Sequence, residues 1–96
     1  MLIRSQNKKS IIVLENIKRI YVRKGNGTDE IEYLIEANEE DSMGSYSSEE
    51  KAIKVLDMIQ NKYSHFRMIR GDSGALSEMV SEHRTFIMPQ DSQVEV

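Results

Sequence analysis

Residues 16–37 read N-I-K-R-I-Y-V-R-K-G-N-G-T-D-E-I-E-Y-L-I-E-A, and this stretch decides the fold. Asn26-Gly27 is a strong hairpin signal, because both loop positions of a type I′ turn need positive φ. With those residues in the turn, Gly25 faces Thr28, Lys24 faces Asp29, Arg23 faces Glu30, Val22 faces Ile31 and Ile20 faces Tyr33. One face then collects Ile20, Val22, Ile31, Tyr33 and Ile35. The other carries Arg19, Tyr21, Arg23, Glu30, Glu32 and Glu36, with Leu34 as its one aliphatic member. Two successive cross-strand pairs of opposite charge favour this register over a one-residue slip. The charged face reads as a solvated sheet surface or as a docking surface.

Outward from the hairpin, Leu2 to Ser5 is a short strand candidate and Asn7-Lys8-Lys9 a polar turn. Ser10 to Leu14 (S-I-I-V-L) is continuously apolar, which suits a strand covered on both faces. After an acidic turn at Asn38 to Asp41, Ser42 to Tyr46 is a further strand, with Met43 on the side opposite Gly44 and Tyr46. Ser47-Ser48-Glu49-Glu50 has the form of a capping box, with Ser47 accepting from the Glu50 amide. Ala52, Val55, Leu56, Ile59 and Tyr63 follow as one stripe at helical spacing, predicting a helix from about Ser48 to Tyr63. Ile53 and Met58 widen its apolar arc toward a second surface. Gly71-Asp72-Ser73-Gly74 is a turn cluster, Ala75 to Glu82 a second short helix, and Arg84 to Met88 a strand stopped by Pro89. Gln90 to Val96 is expected as a flexible tail.

The 96 residues suit one domain spanning residues 1–96, with 39% hydrophobic and 30% charged residues. A net charge of −3 and a pI near 5.4 disfavour nucleic acid and anionic membrane surfaces as partners. The absence of Cys removes disulfides, thiolate nucleophiles and Cys-based zinc sites. No apolar run approaches the ~18 residues needed to span a bilayer, and a cytoplasmic location is expected.

Chemistry-bearing motifs are few. There is no strained nucleophile turn of G-x-S-x-G type, no phosphate-binding glycine loop, and no D-x-D-x-D-G calcium loop in residues 36–48. His65 and His83 serve as ligand or base only if the fold joins them. No catalytic residue, metal or cofactor is therefore assigned. The most suggestive cluster is Arg67, Arg70, Gly71, Asp72, Ser73 and Gly74, with Arg84 as a third cation. Guanidinium groups beside free amides can hold a phosphate or nucleotide. The alternative is a capped helix start with solvated arginines. Met58, Met68, Met79 and Met88 suit either an adaptable contact surface or a core.

The segments I-R-S-Q-N-K-K (Ile3–Lys9), N-I-K-R-I-Y-V (Asn16–Val22), G-S-Y-S-S-E-E-K-A-I-K-V-L-D-M-I-Q (Gly44–Gln60) and the late Met88-Pro89 resemble a family of short uncharacterised proteins. These belong to Gram-positive bacteria and their phages and mobile elements. The resemblance implies an accessory role and supplies no active site.

The fold class expected is α+β: an antiparallel β-meander of about five strands, one main amphipathic helix on one face, and a second short helix. The function expected is that of a non-enzymatic binding protein acting on a host macromolecule. The competing expectation is a sponge that sequesters a phosphate-bearing nucleotide signal of a host defence system. Nine apolar residues after the helix stripe (Phe66, Met68, Ile69, Leu76, Met79, Val80, Phe86, Ile87 and Met88) predict a homodimer or higher homo-oligomer.

Overall fold

The computed structural model describes residues 1–25, 31–39, 41–70 and 85–96, with the side chains of 66–70 left outside. Its described elements are β1 (Leu2–Arg4), β2 (Ile11–Val13), β3 (Ile20–Lys24), β4 (Tyr33–Ala37), β5 (Asp41–Tyr46), α1 (Glu49–Arg70) and β6 (Thr85–Ile87). The fold is α+β, with α1 packed on a sheet. The strands form two sheets. One is the antiparallel meander β3-β4-β5, and the other has the order β2-β1-β6, with β6 parallel to β1. The expected second helix over 75–82 lies outside the described residues.

The hairpin keeps its faces but not its register. Val22 pairs with Ile35 instead of Ile31, and Ile20 pairs with Ala37. In the expected register, Ile35 and Ala37 would face Lys18 and Asn16. The observed one puts aliphatic against aliphatic beneath the helix. Exposed cross-strand charge pairs contribute only about 0.2–1 kcal/mol and do not outweigh that match. Because the slide is even, Ile20, Val22, Tyr33 and Ile35 stay on one side and Arg19, Tyr21, Arg23 and Glu36 on the other. Ile31 drops out of the strand into solvent. The Gly25 N–H still donates to the Glu32 carbonyl at 2.8 Å. The Asn26-Gly27 turn itself lies outside the described residues.

β4 and β5 depart from simple alternation. Ile35 pairs with Gly44 and Glu36 with Ser42, so Met43 is the extra residue of a β-bulge. The bulge lets Met43 join Tyr46 in the core, correcting the expectation that they lie on opposite sides.

The stripe Ala52, Val55 and Ile59 is buried against the sheet, with Leu56 and Tyr63 half-buried beside it. Ile53 and Met58 are exposed, so the wider arc meets no second surface among the described residues. The helix cap differs by one residue from the expectation. The Lys51 N–H donates to Ser48 Oγ at 3.2 Å, making Ser48 the N-cap. Ser47 is occupied elsewhere: its N–H and Oγ–H both donate to Asp91 Oδ1. The helix also runs past Ser64 to Arg70.

The two sheets share one core. The inward residues of β2-β1-β6, above all Ile3 and Phe86, join Ile35, Ala37, Met43 and Tyr46 of the meander. Gln6 links the sheets. Its side-chain Nε2–H donates to the carbonyls of Ser45 and Pro89, its Oε1 accepts from the Ser45 N–H, and its own N–H donates to the Met43 carbonyl. Tyr46 crosses the same junction, donating its hydroxyl to the Pro89 carbonyl at 2.8 Å. Burial drives the Tyr46 phenol well above the ordinary tyrosine range.

The segment expected as a loose tail is docked. Val94 is buried in the core, Lys51 Nζ–H donates to the Asp91 carbonyl, and Gln90 Nε2–H donates to the Gln6 carbonyl. Hydrogen bonds from the Ser47 amide and hydroxyl, with Lys51 nearby, hold the Asp91 carboxyl below its usual range despite some desolvation.

Candidate functional site

The three strands of β2-β1-β6 are each three residues long, and in each the middle residue points inward. Ile12, Ile3 and Phe86 form the inward row. The rows on either side face out: Val13, Leu2 and Thr85 in one, Ile11, Arg4 and Ile87 in the other. Four of these six are aliphatic and exposed: Leu2 at 37%, Val13 at 42%, Ile11 at 52% and Ile87 at 53%. The strand spacing makes this face about 10 Å across, and its two rows lie about 7 Å apart. Arg4 carries the single charge in the two rows. It sits between Ile11 and Ile87, and its Nε–H and Nη2–H donate to the Lys8 carbonyl at 3.3 and 3.0 Å.

The turn after β1 is held firmly at the rim of this face. The Ser5 N–H donates to the Ser10 carbonyl, and the Lys8 N–H to the Ser5 carbonyl. The buried Ser5 hydroxyl donates to Asn7 Oδ1 and accepts from the Ser10 N–H. Lys8 has φ 69°, a left-handed conformation that costs roughly 1–2 kcal/mol for a residue with a Cβ. Lys8 and Lys9 are both exposed.

The outer face of β3-β4-β5 has a different character. Arg23 Nε–H and Nη2–H donate to Glu36 Oε1 at 2.9 and 2.6 Å, and the Tyr21 hydroxyl donates to Glu36 Oε2 at 2.9 Å. The Arg23 hydrogen bond, opposed by desolvation and aided by Tyr21, holds the Glu36 carboxyl below its usual range. Arg19 stacks over the Tyr21 ring at 4.4 Å, and the Ser45 hydroxyl donates to Glu32. These charges are matched within the face, which supports the solvated-surface reading of the hairpin.

An open groove of about 530 Å³, within the size range of small-molecule sites, lies beside Lys18 and Arg19. Its geometry is that of a turn. The Lys18 N–H donates to Asn38 Oδ1, the Asn38 N–H donates to the Arg19 carbonyl, and Asn38 and Glu39 have φ 54° and 76°. The Glu39 carboxylate, 3.9 Å from Arg19 Nη2, opposes an anion there.

Of the residues expected to bind phosphate, Arg67 and Arg70 fall one turn apart near the end of α1, with their side chains outside the described set. Gly71, Asp72, Ser73, Gly74 and Arg84 lie outside the described residues altogether, as does His83. His65 is exposed on α1. No group of three His, Asp or Glu side chains suited to a metal occurs among the described residues, and no described helix is long and apolar enough to cross a membrane. Of the residues on this outer face, sequence reasoning counted Ile87 toward self-association and gave Arg4, Leu2, Ile11 and Val13 no role beyond their strands. No protein-family model, no curated protein and no solved structure matches the chain.

Proposed function

We propose that this chain is a small non-enzymatic binding protein that docks on another macromolecule through the outer face of β2-β1-β6. We further propose that it is an accessory factor of a phage or mobile element, acting on a host macromolecule inside the cell. The observation that carries the docking role is the group of four exposed aliphatic side chains gathered around Arg4. Exposed aliphatics gathered on neighbouring strands of one face, rather than scattered singly, favour an interaction site. The test is site-specific photo-crosslinking in a Gram-positive host. A photoreactive residue at position 11 or 87 is expected to trap one common partner, whereas the same residue at position 23, on the charged face, traps none. Equal labelling from all three positions would refute the assignment.

The nucleotide-sponge reading rests on the arginines of the sequence cluster. A thermal-shift panel of cyclic and linear nucleotides tests it. Stabilisation that disappears in Arg67→Ala and Arg70→Ala would favour it over docking. The self-association reading rests on nine apolar residues, and the side chains of Phe66, Met68, Ile69, Leu76, Met79 and Val80 lie outside the described residues. Of the other three, Phe86 and Met88 belong to the core of the single chain, while Ile87 faces out.

A further inference from the structure

Resting on the docking reading, we infer that the partner presents an acidic amphipathic protein segment, with aliphatic side chains on Leu2, Ile11, Val13 and Ile87 and a carboxylate on Arg4. The reasoning is charge complementarity. The chain carries a net −3, yet the two outer rows hold a single charge, and it is positive. Lys8 and Lys9 add two exposed cations in the turn that the Arg4 guanidinium itself contacts. Nη1 of Arg4 makes no hydrogen bond among the described residues, so part of the planar fork remains to receive a carboxylate. An arginine flanked by isoleucines is an unfavourable place for an apolar partner without an acid, because docking would strip water from the guanidinium and return nothing.

A second copy of the chain fits poorly. A two-fold axis through this face sets Arg4 near its own copy. A lipid surface fits poorly too, since four half-exposed aliphatics on a flat sheet offer no element to insert and the chain as a whole is anionic. One strand or a few turns of helix matches the dimensions.

Lys8 supplies a clean handle. Its left-handed φ means that Lys8→Gly relieves backbone strain while removing a rim cation, and the carbonyl that Arg4 contacts is retained. A falling affinity with unchanged or higher stability therefore separates recognition from folding.

The experiment is selection of a displayed random 16-residue peptide library on the full chain. Enriched peptides are then measured by fluorescence polarisation. The expected outcome is enrichment of sequences that set Asp or Glu among aliphatics. Arg4→Gln is expected to weaken binding about tenfold, the scale of one charge-assisted hydrogen bond. Lys8→Gly weakens it less, and Ile11→Lys or Ile87→Lys abolishes it. Peptides that lose binding in Ile11→Lys but tolerate their own Glu→Gln changes would overturn the acidic class and leave the docking face standing. Peptides indifferent to Ile11→Lys and Ile87→Lys would overturn both. No enrichment, together with binding to phosphatidylglycerol vesicles or a concentration-dependent dimer in sedimentation, would assign the face to lipid or to a second copy. No enrichment, with neither of these, would overturn the inference outright.

Discussion

Ile3 and Ile11 lie in adjacent strands of one sheet and point to opposite sides, with exposures of 0% and 52%. Replacing each by Ala removes the same three carbons, and any loss of strand propensity is common to both. At ~0.8 kcal/mol per group, the transfer term is about 2.4 kcal/mol when burial is complete. At Ile3 the core closes on all sides, so a cavity term adds to it and the total should reach about 3–4 kcal/mol. At Ile11 roughly half of the side chain is already in water and no cavity forms, leaving about 1 kcal/mol. Urea titration of the two variants and wild type reads the difference from the midpoints at constant m. A cost at Ile11 equal to that at Ile3 would mean that Ile11 is covered in the free protein, and the docking surface would not exist. A cost under about 1 kcal/mol at Ile3 would mean that the inward row is not core, and the register of the sheet would be wrong by one residue.

Tyr46→Phe should cost about 1 kcal/mol, since it removes one of the two donors to the Pro89 carbonyl at the junction of the sheets and leaves Gln6 Nε2–H as the other; a neutral result in urea would show that the Tyr46 bond adds nothing there. With the Tyr46 phenol raised by burial, the native state keeps a proton that the unfolded chain gives up near pH 10, so stability should fall as pH rises past that point, and less so in Tyr46→Phe. Ser48→Ala should cost about 1 kcal/mol as loss of an N-cap, and Ser47→Ala less, because its hydroxyl only supplements the backbone donor to Asp91; the reverse order would restore Ser47 as the cap. The carboxyls of Glu36 and Asp91 are both held low, so their contributions are present at neutral pH and disappear as pH falls below about 4 and through the folded values. Glu36→Gln should flatten that acid limb, and an unchanged slope would refute the role of the Arg23 pair.

How much of this was legible depended on the physical signal at each place. The helix stripe was readable because Ala52, Val55 and Ile59 recur at a spacing that only one conformation places on one side. Thr85–Ile87 with Pro89 after it was readable because proline cannot continue a ladder. The outer face of β2-β1-β6 was not, because a run of Ile11, Ile12 and Val13 looks the same whether one face or both are covered. The continuous apolar run suggested a doubly covered strand, and the structure leaves Ile11 and Val13 exposed on an outer strand of its sheet. The docking of Gln90–Val94 was hidden for a different reason. Its ties to Gln6, Ser47 and Lys51 join residues far apart in sequence, and no local pattern encodes them. The expected phosphate cluster rested on local composition alone, and among its members only the backbone of Arg67 and Arg70 is described.

The hairpin explains why a correct face and an incorrect register can coexist. Side chains alternate with period two, so every even slide keeps Ile20, Val22, Tyr33 and Ile35 together and differs only in who meets whom. The choice among even slides then falls to two small competing terms. Pairs such as Lys24 with Asp29 and Arg23 with Glu30 favour a tight turn at Asn26-Gly27. Aliphatic pairs Val22–Ile35 and Ile20–Ala37 favour the longer connection. The longer one also brings Arg23 diagonally to Glu36, which receives the Tyr21 hydroxyl as well, so this register carries an ion pair with three donor groups in a nearly buried position. That ion pair has a consequence for recognition. Arg23, Tyr21 and Glu36 satisfy one another inside the sheet, and the docking reading therefore rests on Arg4 and the aliphatics beside it.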